Sequence, residues 1–507
     1  MKKRIVKILC AILTSVLILL TTISFAGYFA AKWYADVYGQ MGFDSVLYTL
    51  FSDLNGTDSS LIQDFLKAVV PSTAVGAFLV GSFLFLRTKG RIILKLFGKL
   101  RIRIFPIPRL IACICTLVLC TGLLQRAAVL VELDEYIVNI RQMSNVFEKE
   151  YIDPKTVSVT FPEEKRNLIY IFLESMEVSY MSQEENGALP YNTIPELYAL
   201  ARDNTHFAPD GNMGGFYSIT GTNWTSAAIT AQTAGIPLKT PPGINGNDYG
   251  EDDNFLPGVT TLTDVLHEND YYQALMFGSD ASFGGRRQYY TQHQIDRIYD
   301  LFTARDDGIV PEDYQVWWGM EDKHLFTYAK QALLEISLHE QPFAFTMLTA
   351  DTHHIDGYLC DLCENVYDEQ YENVMACSSR QVSEFVSWLQ QQDFYENTTV
   401  IIVGDHQSMD NAYFQRNAPE DYQRMVYNCI LNSATEVTNS NARQFTALDL
   451  FPTTLVAMGC TIDGDRLGLG VNLFSDIPTL VEKLGLEELE NQLMRNSAYY
   501  TNHFFFS

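Results

Sequence analysis

The stretch that decides the fold is LIYIFLES, residues 168–175. Leu168 to Leu173 form an uninterrupted apolar run, which suits a strand of a parallel sheet buried on both faces rather than a half-wet strand that alternates. Two further runs read the same way: FAFTML at 343–348 and TVIIV at 399–403. Between them lie stretches with helical apolar periodicity, among them Leu325–Leu338 and Ser378–Gln391. Strands alternating with helices over about 340 residues predict an α/β/α sandwich. No internal repeat is present.

The residues just beyond each strand carry the chemistry. The first run leads into Glu174, the second into Asp351, His353 and His354, the third into Asp405 and His406. Open α/β sheets collect their ligands at the carboxyl ends of strands. One polar cluster there means little, because strands end in polar loops. Three sets of metal-ligating residue types at three strand ends point to a site. Carboxylate plus imidazole suits one divalent ion, zinc or manganese, and a catalytic site keeps a position open for substrate. Asp351, Asp356 and Asp410 are further carboxylates that leave the ligand count open.

Upstream of this acidic part the chain reads as membrane. Three apolar runs occupy about 5–29, 68–86 and 104–124, each near the length that crosses a hydrocarbon core. The first resembles a signal peptide in its basic flank, yet it is longer than the usual apolar core; a cleaved first segment with two spans is the alternative. Residues 87–109 hold eight Lys and Arg and no acid, whereas five Asp lie among residues 30–66. Excess Lys and Arg mark cytoplasmic loops, so the expected topology puts 87–109 inside and the acidic part outside. The organisation expected is a transmembrane region at 1–124, a helical juxtamembrane connector at 125–160, a catalytic domain at 161–475 and a C-terminal segment at 476–507.

Charge divides along the same line. Residues 1–128 carry a net +10 and residues 129–507 a net −36, within a chain of 507 residues that is 47% hydrophobic. A module so acidic repels a phosphate backbone, which excludes nucleic acid as a partner. The apolar content excludes disorder.

Taken together, Glu174 in IFLESME, Thr225 in GTNWTSAAITAQTAGIPL, His353 in TADTHHIDGY and Asp405–His406 in IIVGDHQSMD resemble the alkaline-phosphatase/sulfatase superfamily. Within it the sequence is similar to membrane-bound phosphoglycerol transferases: lipoteichoic acid synthases and, more closely in GTNWT…GIPL and DTHHIDGY, the transferase that decorates periplasmic glucans. The resemblance covers about residues 125–475. It implies an extracytoplasmic sulfatase-type domain that moves glycerol phosphate from phosphatidylglycerol, through a phospho-threonine, to a cell-envelope glycan, using Mn2+ or Zn2+. Phosphoethanolamine transfer onto a surface glycan or lipid is the alternative. Sulfatases themselves resemble one another around a Cys or Ser followed by x-Pro-x-Arg. Thr225 is followed by Ser-Ala-Ala-Ile, which disfavours sulfate-ester chemistry. Lipoteichoic acid synthases have five spans where three are read here.

The resemblance also assigns roles. Thr225 becomes the nucleophile and a metal ligand, since a threonine hydroxyl needs a base or a metal to attack at neutral pH. Thr220, Thr222, Thr230 and Thr233 crowd the same segment, and threonines there also cap helices or line turns. Glu174, Asp405 and His406 become the other ligands. His353 is favoured over His354 for proton transfer and substrate binding. Arg286 in SFGGRR matches the arginine that grips glycerol phosphate, with Arg287 as its rival; the family's tryptophan two residues earlier is replaced by Gly284. Three features fall outside this set. Trp317–Trp318 read as packing beside the site, with an aromatic platform for a sugar ring as the alternative, and ALDLFPTTLVAMGC (447–460) as a structural late helix. Cys360, Cys363 and Cys377 sit in one loop region expected outside the membrane, where one disulfide involving Cys377 is the expectation.

Overall fold

The computed structural model describes residues 2–39, 42–51, 59–86, 92–96, 100–104, 109–240, 255–437 and 440–505. Parts of the basic loop expected inside (87–91, 97–99 and 105–108) lie outside the described residues. The chain divides into two compact units, one of 1–43 with 58–135 and one of 44–57 with 136–507.

The first unit contains three helices long and apolar enough to cross a membrane, and these mark a membrane protein. They are α1 (Lys2–Tyr38), α3 (Ser59–Leu86) and α4 (Arg109–Leu130); the shorter α2 (Gly42–Phe51) lies between the first two. Leu17, Leu84 and Ala112 meet in a small buried cluster, while Leu19, Phe78, Leu79, Leu110 and Val118 point outward. Helices with apolar outer faces suit lipid, not water. The third span differs from the sequence reading. It begins at Arg109 rather than near 104, because Ile104 ends a short antiparallel hairpin (Ile92–Leu96 with Leu100–Ile104) and Pro106 and Pro108 follow it. A proline has no N–H to give and clashes with the preceding turn.

The second unit is built on a six-stranded sheet. Its strands are β1 (Asn167–Leu173), β2 (Tyr272–Phe277), β3 (Arg297–Tyr299), β4 (Phe343–Leu348), β5 (Thr398–Gly404) and β6 (Asn428–Leu431). They lie in the order β3-β2-β4-β1-β5-β6, all parallel except β6, which runs antiparallel to β5. The three sequence runs are therefore the three central strands. Leu168 pairs with Ala344 on one side and Thr399 on the other.

Alternate residues of β1 enter different cores. Leu168, Tyr170 and Phe172 belong to one cluster, with Ala227, Ile229 and Leu455; Ile169, Ile171 and Leu173 belong to the other, with Leu333 and Phe385. The first face is covered by α5 (Thr225–Ala234) and α8 (Leu450–Ala457), the second by α6 (Asp322–Ile336) and α7 (Gln370–Leu389). This is the α/β/α sandwich that the uninterrupted apolar runs require. Within the C-terminal segment, Tyr500 and Phe504 pack edge-on against Phe147.

Candidate active site

Every residue singled out at the strand ends lies on the carboxyl edge of this sheet. Glu174 follows β1 directly, and its N–H donates to Thr349 Oγ1 just beyond β4 at 3.0 Å. Ser175, next in the chain, holds φ at +55°. A left-handed serine costs on the order of 1 kcal/mol. The turn it makes aims the Ser175 N–H at Asp405 Oδ1 (2.8 Å) and its hydroxyl at Glu174 Oε1 (2.7 Å). Asp405 and His406 leave β5 through Gly404, where a Cβ would lie 2.1 Å from the Met176 carbonyl oxygen.

Thr225 arrives from the opposite direction, as the first residue of α5. Gln232, two turns along that helix, donates to the carbonyls of Gly404 (3.1 Å) and Asp405 (3.2 Å) and accepts from Tyr170. The helix start is thereby fixed against the β5 end. Thr225 Oγ1 lies 3.4 Å from Glu174 Oε2 and 3.3 Å from His406 Nε2. The other threonines of the segment are committed elsewhere. Thr220 donates to Glu490, Thr222 to Ile219 O, Thr230 to Ser226 O and Thr233 to Ile229 O. Only Thr225 of these five reaches the acidic cluster. It also sits at a helix N-terminus, whose free N–H groups and dipole favour an anion.

Glu174, Asp405 and His406 each offer a ligand atom within 4.8 Å of the others, and all three are buried. The His406 ring is oriented by its Nδ1–H, which donates to the Gln407 carbonyl at 2.8 Å and leaves Nε2 as the atom that faces the cluster; burial lowers the imidazole pKa, but Asp405 and Glu174 outweigh it and raise it. Asp405 Oδ2 is buried without a hydrogen-bond partner, with His406 Nε2 3.2 Å away. Burial and the Glu174 charge push the Asp405 carboxyl up to about 7, against the pull of His406 and the N–H groups of Ser175 and His406. Burial also works to raise Glu174, but the His353 and His406 imidazoles and the hydrogen bond from the Ser175 hydroxyl outweigh it and hold it below the usual range. Two buried carboxylates that disfavour each other's charge, one with an orphaned oxygen, fit a divalent ion of zinc or manganese type. Asp410 lies outside this cluster, since it caps the helix that starts at Asn411. Asp356 donates its N–H to Asp410.

A cleft opens beside the cluster, lined by Glu174, Thr225, Ser279, Phe283, Arg286, Trp318 and His353. His353 Nδ1–H donates to His354 O at 2.7 Å, which leaves Nε2 as the exchangeable nitrogen. Burial lowers the His353 pKa, with Glu174 partly opposing. His354 stacks behind it, ring centroids 4.4 Å apart, and is buried. Arg286 is 5% exposed. Its Nε donates to Phe283 O, its Nη2 to Ser279 Oγ and Asp280 O, and its guanidinium lies 4.3 Å above the Phe277 ring. Burial depresses it to about 10, so it remains a cation. Arg287 instead pairs with Asp300, the cap of the next helix.

Several contacts at the site carry no sequence signal. Trp318 packs at a tilt against His353 at 4.6 Å and against Phe283 at 5.2 Å, so an aromatic wall is present although Gly284 stands where the family tryptophan would be. Glu177 is buried against Arg424 and accepts from the Ser408 N–H, which braces the loop after His406. Tyr48 of α2 donates to Gly284 O, with its ring 5.6 Å from Trp224. A salt bridge or a long-range tyrosine contact has no local pattern to betray it.

Fold and site together define a domain of the alkaline-phosphatase/sulfatase type. A family profile described as Sulfatase matches residues 166–460, more than half of the chain, and the chain belongs to that family. Phosphoglycerol transferase I of Xanthomonas campestris pv. campestris (strain B100) is 30% identical over 258 residues, covering 49% of this chain and 35% of the relative. The match thus spans about a third of that protein. Among solved structures, an alkaline-phosphatase-superfamily protein from Vibrio parahaemolyticus superposes with a TM-score of 0.50 at 17% identity, covering 68% of this chain and 82% of that one. The integral membrane lipooligosaccharide phosphoethanolamine transferase A from Neisseria meningitidis gives 0.51 at 11% identity, covering 88% and 84%. At such identities these two show likeness of fold.

Proposed function

We propose that this protein is a membrane-anchored phosphotransferase that moves glycerol phosphate from phosphatidylglycerol to an extracytoplasmic glycan by way of phospho-Thr225. The observation that carries the reading is the Thr225 hydroxyl, held at a helix N-terminus between Glu174 and His406. Glu174, Thr225, Asp405 and His406 would hold one divalent ion, Mn2+ or Zn2+, which supplies Lewis acidity toward the hydroxyl and a phosphoryl oxygen. In the first half-reaction the Thr225 hydroxyl gives up its proton as the Oγ–P bond forms, the P–O bond to diacylglycerol breaks, and the leaving oxygen takes a proton. In the second an acceptor hydroxyl gives up its proton and bonds to phosphorus, the Oγ–P bond breaks, and the Thr225 oxygen takes a proton back. His353 Nε2 is placed to exchange these protons. Arg286, a buried cation with its Nη1 unengaged among the described residues, is placed to meet the phosphate.

Topology supports an outward-facing site. Residues 44–51 of α2 fall between the first two spans and belong to the catalytic unit, through Tyr48 on Gly284. This contact supports the reading that the catalytic domain lies on the side expected for residues 30–66, which the charge rule puts outside.

The test is mass spectrometry of the purified protein after incubation with phosphatidylglycerol or phosphatidylethanolamine vesicles. A glycerol-phosphate adduct on Thr225 is the expected result. An ethanolamine-phosphate adduct would change the donor and keep the mechanism, and no adduct on Thr225 with either lipid would overturn it.

A further inference from the structure

The connection from β4 to α7 runs from Thr349 to Glu369 without regular secondary structure. It carries His353 near its start and Cys360 and Cys363 in its middle. Cys377 faces them from the second turn of α7. All three thiols are free, so the expected disulfide is not formed. Instead Cys360 Sγ lies 3.6 Å from Cys363 Sγ and 3.9 Å from Cys377 Sγ, and the three sulfurs all fall within 4.8 Å of one another. A disulfide needs about 2.0 Å. A tetrahedral site with zinc–sulfur bonds of about 2.3 Å has sulfur–sulfur edges of about 3.8 Å. The two short separations match those edges.

The surroundings suit thiolates. The Cys363 N–H donates to the Cys360 carbonyl at 3.1 Å, a tight turn that brings the two sulfurs together, and Gln381 Nε2 donates to Cys377 Sγ at 3.5 Å. Side-chain donors of this kind orient and stabilise sulfur ligands around a metal. Cys360 and Cys377 are buried, whereas Cys363 is half-buried and leaves an approach for an ion and a solvent ligand.

We infer that Cys360, Cys363 and Cys377 form a second metal site, a three-thiolate zinc centre with solvent in the fourth position, which fastens the His353-bearing connection to α7. Binding would release the thiol protons to solvent and form three Zn–S bonds. No oxidant is consumed. The clamp shortens the free length of a connection that is long for an α/β unit. The site is distinct from the Glu174 cluster and does not depend on the donor lipid.

Metal analysis of the full chain in detergent, purified anaerobically without chelator, tests this. Expected is one zinc per chain besides the ion of the Glu174 cluster, retained in the Glu174→Ala/Asp405→Ala protein and lost when Cys363→Ser is added. Replacement by Co2+ should give a thiolate-to-cobalt charge-transfer band that survives Glu174→Ala/Asp405→Ala and is lost in Cys363→Ser. The unmutated chain, denatured with chelator and alkylated without reductant, should label all three cysteines, which keeps the proposal testable if a variant misfolds. Recovery of a cross-linked cysteine pair from that chain, or loss of all zinc on Glu174→Ala/Asp405→Ala, would overturn it.

Discussion

Replacing Thr225 by Ala separates catalysis from architecture because the structure predicts opposite outcomes for the two. The Thr225 hydroxyl makes contacts of 3.4 Å to Glu174 and 3.3 Å to His406, both longer than the 2.7–3.2 Å of a strong hydrogen bond. Their loss costs a few tenths of a kcal/mol. The missing methyl of a half-buried side chain costs less than about 0.8 kcal/mol, and alanine repays part of this through its higher helix propensity at the start of α5. Net stability should move by no more than about 1 kcal/mol, a shift of about 2 °C or less in the melting of a unit this large. Activity should fall by about four orders of magnitude, since the covalent route disappears outright. Thr225→Ser should restore part of it, because the hydroxyl remains while the methyl that restricts its rotamer is gone. The assay pairs release of diacylglycerol from phosphatidylglycerol vesicles with detection of the phospho-threonine. Near-normal transfer by Thr225→Ala would refute the reasoning and point to direct attack by the acceptor. A large loss of melting temperature would show that the threonine is structural.

Asp405→Ala should remove the metal of the Glu174 cluster and abolish transfer, read by metal content and turnover on the same sample; full occupancy would mean the site is elsewhere. Arg286→Lys should lower kcat/KM by about 10²-fold through loss of the guanidinium fork, while Arg287→Lys should leave it nearly unchanged; equal effects would remove Arg286 from the phosphate site. Reporters fused at Lys95 and after Asn139 should read inside and outside respectively, and the reverse would place the site in the cytoplasm. Burial pushes the Asp449 carboxyl, which accepts from the Thr446 and Val471 N–H groups, up to about 7. The native state then holds this proton to higher pH than the unfolded chain, whose carboxyl titrates near 4. Its contribution is fully present below about pH 4 and is lost as pH rises to about 7, amounting to about 4 kcal/mol at most. Denaturant titrations of Asp449→Asn should show a flatter decline over that window, and an unchanged slope would exclude the assignment.

The central sheet was legible because its physics is local. A parallel strand covered on both faces must be almost wholly apolar, and Leu168–Leu173, Phe343–Leu348 and Thr399–Val403 are, with Thr346 and Thr399 as the exceptions. Glu174 and Asp405–His406 were legible for a related reason: polar side chains directly after a buried strand land on one edge whatever the loops do. The short β3 and the antiparallel β6 had no such signature. Arg297 opens β3 exposed to solvent, and Asn428–Leu431 is too brief to stand out.

What the sequence hid is what depends on contacts between distant segments. Nothing in SFGGRR distinguishes Arg286 from Arg287. Their separation comes from Gly284 and Gly285, both at positive φ, which turn the chain so that one guanidinium enters the cleft and the other meets Asp300. Thr225 likewise stands among four chemically identical neighbours. It becomes special only because Gln232 pins α5 to Gly404 and Asp405, and because Ser175 accepts a left-handed backbone to hold Glu174 and Asp405 together. A serine at that position looks like any other loop residue, since the strain it bears exists only once β1 and β5 are paired. The reactive geometry is thus a consequence of the assembled sheet: the residue types could be read one by one, and their alignment could not.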